Sequence, residues 1–163
     1  MNDQPQVWVD ADSCPFKEEI ISISKKFHLE ITFVSNMVIQ SLQGRHGIHT
    51  ILSDDTFDAV DDLIVHKIKS KDFAVTKDLM LAKRLLEKQV FVCGFQGKAY
   101  ESNIEEAMAH SQLHTLLRDE QGGFNQTNKK KQKASKHEKS AQFKNSFHNF
   151  LDKSLKTRLR DKP

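Results

Sequence analysis

The chain has 163 residues, 37% of them apolar and 29% charged, with a formal net charge of +3. That length sets one domain with a short appendage, and the apolar share supports one core while leaving part of the chain outside it. No apolar run approaches the roughly 20 residues of a membrane span, and the opening MNDQPQ lacks the layout of a secretion signal. Two cysteines, Cys14 and Cys93, make neither a disulfide framework nor metal-finger spacing, so a reducing cytoplasm is the expected setting.

Val7-Trp8-Val9 reads as a buried strand that stops at Asp10 and Asp12. Ser13 as cap and Pro15 at the first turn predict a helix from Pro15 to Phe27. Leu29–Ser35 alternates as a second strand, and Asn36 opens a loop reaching the turn at Gly44-Arg45-His46-Gly47. Ile48, Ile51 and Leu52 mark a weak third strand, followed by the turn residues Ser53–Thr56 and a helix over FDAVDDLIVHKIK. On that helix Phe57, Val60, Ile64 and Ile68 form the expected buried stripe. Phe73–Thr76 is a fourth strand, LMLAKRLLEK a helix, and Val90–Cys93 a fifth strand. After the turn Gly94–Lys98, Ser102 is expected to cap a helix running to about Leu117.

Strands alternating with helices predict an α/β fold, a three-layer α/β/α sandwich with a mostly parallel sheet over residues 1–121. Residues 1–121 hold 13 Lys/Arg against 19 Asp/Glu, a net of −6; residues 122–163 hold 12 against 3, a net of +9. Residues 122–142 read as a lysine-rich linker, and 143–163 as a C-terminal amphipathic helix with a basic tail. Its stripe of Phe143, Phe147, Phe150, Leu151 and Leu155 is expected to dock on the domain. The basic tail is read either as a hold on a polyanion, RNA before DNA, or as a solubilising extension. Oligomeric state is not legible.

Carboxylates recur where strands end. Asp10 and Asp12 follow the first strand, Asp78 follows the fourth, and Asp61 lies on the margin of the central helix's apolar stripe, with Asp62 further round beside Asp58. The carboxyl edge of a parallel sheet is where such folds gather ligands, and acids brought together there repel unless a cation lies between them. An oxygen-rich site of this kind suits Mg²⁺ or Mn²⁺. Thr76 and Lys77 lie within reach of the same edge, while Lys17 and Arg45 are candidates for contacting phosphate. Backbone N–H groups at Ser13-Cys14-Pro15 offer a further anion site, and Cys14 is expected to shape the site rather than react.

VWVDADSCPFKEEI, FDAVDDLIV, VTKDLMLAKRLLEK and the closing F-x3-F-x3-L-x3-L helix resemble the YaiI/YqxD family of bacterial proteins along nearly the whole chain. The most specific block, D-A-D-x-C-P-x-K-x-E, is filled by Asp10, Asp12, Cys14, Pro15, Lys17 and Glu19. The resemblance implies a PIN-like fold, related to nucleases that cleave RNA with acid-bound Mg²⁺ or Mn²⁺. It maps the acids of that fold to Asp10, to Asp61 or Asp62, and to Asp78, with Asp12 a fourth. The chain departs from the family in MVIQSLQGRHG, where a proline-containing loop is common, and in its lysine-rich linker.

Three functions follow as expectations. The first is a metal-dependent ribonuclease using Asp10, Asp12, Asp61 and Asp78, with Asp62 a further metal ligand. The second is an RNA-binding or regulatory module without turnover. The third is a phosphatase with Asp10 as nucleophile and Asp12 as acid/base, which the helix starting straight after Cys14 disfavours by leaving no room for the hairpin such enzymes carry.

Overall fold

Val7, Trp8 and Val9 are all buried, as a strand covered on both faces requires. The computed structural model describes residues 4–101, 104–120 and 135–161, those from 118 to 120 by backbone alone. Within it β1 (Gln6–Asp10) is central, with β2 (Glu30–Ser35) and β4 (Phe73–Val75) beside it and β3 (Ile48–Leu52) and β5 (Phe91–Cys93) outermost. The order β3-β2-β1-β4-β5 is parallel at every pairing. Chain connections leave β1 toward one side of the sheet and β4 toward the other. The crevice beyond the carboxyl ends of these two strands is therefore the topological switch point, where open parallel sheets bind ligands.

The helices are α1 (Lys17–Lys26), α2 (Ala59–Lys67), α3 (Leu79–Glu87), α4 (Ile104–Glu120) and α5 (Lys136–Arg160). Strand alternation splits the core in two. Val7, Val9, Ile31, Phe33 and Val75 pack with α1 and α5, while Trp8, Val34, Ala74 and Val92 pack with α2, α3 and α4. This is the expected three-layer α/β/α sandwich, with a sheet that is wholly parallel.

Helix starts differ from expectation in three places. Ser13 makes no cap: α1 begins at Lys17, because Cys14 N–H turns back to the Ala11 carbonyl at 3.3 Å and the turn uses up Ser13–Phe16. α2 begins at Ala59 rather than Phe57, because Asp58 takes a left-handed φ of +61° that a helix interior excludes. Phe57 is thereby thrown off the helical wheel and stands 93% exposed instead of in the core stripe, whose members Ile64 and Ile68 are buried. The third concerns the stretch 122–142. Its residues up to 134 lie outside the described residues, as does Ser102, but Ser135–Gln142 form the cap and first turns of α5. A capping box explains the longer helix: Ser135 Oγ accepts from Glu138 N–H, and Glu138 Oε2 accepts from Ser135 N–H at 2.8 Å.

α5 docks, as its stripe predicts, and runs alongside α1. Ser140 Oγ donates to Glu19 at 2.7 Å near the start of α1, and Phe143 stacks on Phe16 with centroids 4.5 Å apart. His148 meets Phe27 just past the end of α1, and Arg158 donates to the Lys71 carbonyl at 3.0 Å. Phe147 and Leu151 are fully buried between α1 and the sheet. Gly97 permits this approach, since a Cβ there would stand 2.8 Å from the Phe147 amide nitrogen, and its φ of +71° also favours glycine.

Because Phe147 is at 0% exposure between layers, Phe147→Ala is expected to cost about 3–5 kcal/mol. Urea denaturation followed by far-UV circular dichroism measures this, and an unchanged midpoint would mean that α5 does not cover the core in solution.

Candidate functional site

The carboxyl edge of the sheet opens into a cavity of about 620 Å³ beyond β1 and β4. Its wall carries Asp10 and Asp12 after β1, Asp54 and Asp58 between β3 and α2, Asp61 on α2, and Asp78 before α3. Lys77 is the one Lys or Arg lining it among the described residues, and α4 contributes Met108, Ser111 and Gln112 on the far side. Asp10, Asp12, Asp61 and Asp78 are thus brought to one place, as their spacing suggested. Asp54, within the turn Ser53–Thr56, and Asp58 join them, though neither is among the acids expected at this edge. Asp54 follows β3 by two residues, as Asp12 follows β1, and that repeated offset is the signal that would have found it.

Hydrogen bonds hold the acids apart from one another. Thr76, buried at the end of β4, donates from Oγ1 to Asp10 Oδ2 at 3.0 Å and accepts from the Asp78 amide at 3.0 Å. Its role in the folded chain is to brace Asp10 against the α3 entry; it does not line the cavity. Asp78 is a true N-cap, with Oδ1 accepting from Met80 and Leu81 amides at 2.8 and 3.0 Å. Asp12 Oδ1 accepts from Ser35 Oγ at 2.7 Å and the Asn36 amide at 3.0 Å, tying the β1 and β2 loops together.

Other candidates lie elsewhere. Asp62 points to the outside of α2, where Arg84 donates to Oδ1 at 2.8 Å. Arg45 forms a forked pair with Glu18 at 2.7 and 3.1 Å, and Lys17 Nζ donates to the Cys14 carbonyl at 2.7 Å. None of the three lines the cavity. Cys14 is buried, and burial pushes its thiol up to about 11, so it packs rather than reacts.

Electrostatics single out two acids. Burial raises Asp10, the Thr76 hydrogen bond opposes this, and the charges of Asp12 and Asp78 add to it. Asp61 is raised to about 6, first by burial and then by the charges of Asp78, Asp10 and Asp58. It takes no hydrogen bond among the described residues that would offset this. Asp72 offers the contrast. It is buried at the opposite end of the sheet, yet the Gln6 and Lys69 amides both donate to it at 3.1 Å.

Among the described residues no three of His, Cys, Asp and Glu gather tightly enough to hold a metal ion alone. The donor set nevertheless fits one kind of cation. All its titratable acceptors are carboxylates, and Mg²⁺ keeps several waters and takes only one or two carboxylates from protein. The rim of the cavity is also apolar: Phe57 and Met80, 93% and 59% exposed, belong to its wall. Leaving a phenyl ring in water forgoes about 1.5–3 kcal/mol of burial.

An all-parallel α/β/α domain with an acid-lined cavity at its switch point defines the class. Residues 8–153 match the family described as "Uncharacterized BCR, YaiI/YqxD family". The chain is 37% identical over 128 residues to the UPF0178 protein Atu1478 of Agrobacterium fabrum, covering 77% of this chain and 83% of that one. It is 32% identical over 147 residues to the UPF0178 protein Lmo1456 of Listeria monocytogenes, covering 90% and 95%. The chain belongs to the YaiI/YqxD family. No solved structure matches it. No helix among the described residues is long and apolar enough to cross a membrane.

A carboxyl raised on folding holds its proton longer in the folded chain, so stability falls as pH climbs from the ordinary carboxylate value through about 6. Asp61→Asn is therefore expected to raise Tm at pH 7.5, by about 2–4 °C per kcal/mol of relieved repulsion. The gain should vanish near pH 4. Thermal melts at both pH values check it, and a gain independent of pH would remove the charge explanation.

Proposed function

We propose that this protein is a divalent-cation-dependent phosphodiesterase that cleaves RNA, with the cavity beyond β1 and β4 as its active site. The observation that carries the reading is the convergence of Asp10, Asp61 and Asp78 from three separate segments on one cavity, with Asp61 raised to about 6. Structural acids are usually paired or bonded; a pair of perturbed acids in a cleft is what catalysis requires. Residue spacing and the PIN-like resemblance support the same reading.

Asp10, together with Asp78, would hold Mg²⁺ or Mn²⁺. When bound, the ion supplies Lewis acidity toward a phosphodiester and offsets its charge. The chain's own groups do the rest. Thr76 fixes the rotamer of Asp10 through its 3.0 Å hydrogen bond. Asp61, poised near neutrality, accepts at its carboxylate the proton of an attacking water, as general base. Lys77, on the cavity wall, would offer its charge to the phosphate. Further positive charge for the strand comes from the exposed residues Lys139, Lys144 and Lys153 of α5.

Cleavage of a labelled single-stranded RNA with Mn²⁺ or Mg²⁺ tests the proposal. Asp10→Asn is expected to abolish it and Asp61→Asn to slow it about 10²–10⁴-fold. Equal cleavage by wild type and Asp10→Asn removes the active site from this cavity. RNA retained by wild type but never cut assigns the chain to the binding module instead.

A further inference from the structure

Nine large apolar side chains stand exposed among the described residues, and five of them (Met37, Val38, Leu52, Phe57 and Met80) sit where strands end at the carboxyl edge of the sheet. Met37, Val38 and Leu52 line a separate apolar hollow beside β2 and β3; Phe57 and Met80 stand on the wall of the acid cavity, and exposed apolar groups at a polar site need an explanation that scattered leucines do not. Phe57 is the extreme member at 93% exposure, and it shares the cavity wall with Asp54, Asp58 and Asp61. Its position is built rather than frayed. Ala59 N–H closes the turn onto the Thr56 carbonyl at 3.2 Å, and Asp62 N–H bonds to the Asp58 carbonyl at 2.9 Å. Between them Asp58 holds a left-handed φ of +61°, a conformation that costs a non-glycine residue and persists only where the surroundings enforce it. That backbone is what turns the ring outward and away from the α2 core stripe.

We propose that Phe57 is the platform on which an unpaired nucleobase stacks while the adjoining phosphate enters the acid-lined cavity. This rests on the phosphodiesterase reading and adds to it the substrate class: a single strand. Paired bases present no free face to an isolated ring, whereas unstacked bases of single-stranded RNA are recognised by stacking on aromatic side chains. The rim joins the two chemistries a nucleotide carries within one unit. A planar apolar surface stands beside carboxylates suited to a hydrated cation and its phosphate, and Lys77 lies on the same wall. An apolar protein partner would match the ring but not the acids below it.

The test uses the full chain and a fluorescein-labelled single-stranded RNA decamer, with Ca²⁺ in place of Mg²⁺ and fluorescence anisotropy as the readout. Phe57→Ala is expected to weaken binding about 5- to 150-fold, the worth of one base stack. It should leave the affinity for an abasic decamer of the same length unchanged. Its melting temperature should equal that of wild type, since the ring packs on nothing. Phe57→Trp should bind as wild type does, and its emission should be quenched by the base-bearing strand. The native Trp8 is only 7% exposed and will not respond.

Equal affinity of wild type and Phe57→Ala for the base-bearing decamer overturns the proposal, as does an equal loss for the abasic one. So does a wild type that binds neither. The two readings fail separately. Cleavage indifferent to Asp10→Asn sinks the active site but leaves the anisotropy difference standing. Anisotropy indifferent to Phe57→Ala sinks the stack and leaves Asp10-dependent cleavage in place.

Discussion

The hydroxyl of Thr76 is the group on which the cavity's geometry turns. By donating to Asp10 and accepting from the Asp78 amide, it fixes the distance between two strand ends whose acids repel. Without such a brace, Asp10 would relieve its burial and its neighbours' charge by turning away from the cavity. Asp12 is held in the same manner from the other side, by Ser35 and the Asn36 amide. The acids are therefore kept in mutual repulsion by hydrogen bonds made behind them. In the proposed reading that arrangement is preorganised for a positive charge, as sites that need not reorganise at the moment of use are.

The sheet supplies what the brace cannot. With β1 central and connections diverging from β1 and β4, the switch point falls where Asp10 and Asp78 stand. Two helical layers seal the apolar strands, and polar chemistry is left to the loops at one edge. Among the apolar residues exposed at that edge, Phe57 stands at the cavity mouth, where α2 has been shortened by the turn at Asp58. A binding rim and an acid floor thus come from the same few loops, while stability comes from elsewhere.

Much of this was legible in the residues. Alternation of apolar runs with helical periods read out the strands, since parallel strands are buried on both faces and leave continuous apolar segments. Asp10, Asp12 and Asp78 were legible because each ends or follows a strand, and Asp61 because it falls on the margin of the central helix's apolar stripe. The helical wheel set Asp62 further round than Asp61 while the resemblance left the two open; what takes Asp62 outward is Arg84, 22 residues away, a contact no local pattern displays. Arg45 was misleading for the same reason: its guanidinium is taken by Glu18, a contact across 27 residues. Phe57 looked like core on a helical wheel, and only the left-handed turn at Asp58 makes it surface. The start of α5 was hidden by lysine content, although Ser135 and Glu138 already spelled its cap.

The place of α5 in the sequence has a consequence for how the protein is made. The helix face that covers α1 and the sheet begins at Phe143, about 50 residues after β5 ends at Cys93. At roughly 5–20 residues per second, a ribosome needs about 3–10 s to make that interval. During it the nascent sheet and α1 have been translated while Ile20, Phe33 and Phe73 lack the layer that later shields them. The emerging chain is then at its most adhesive, because apolar surface left uncovered during synthesis is what draws chains together.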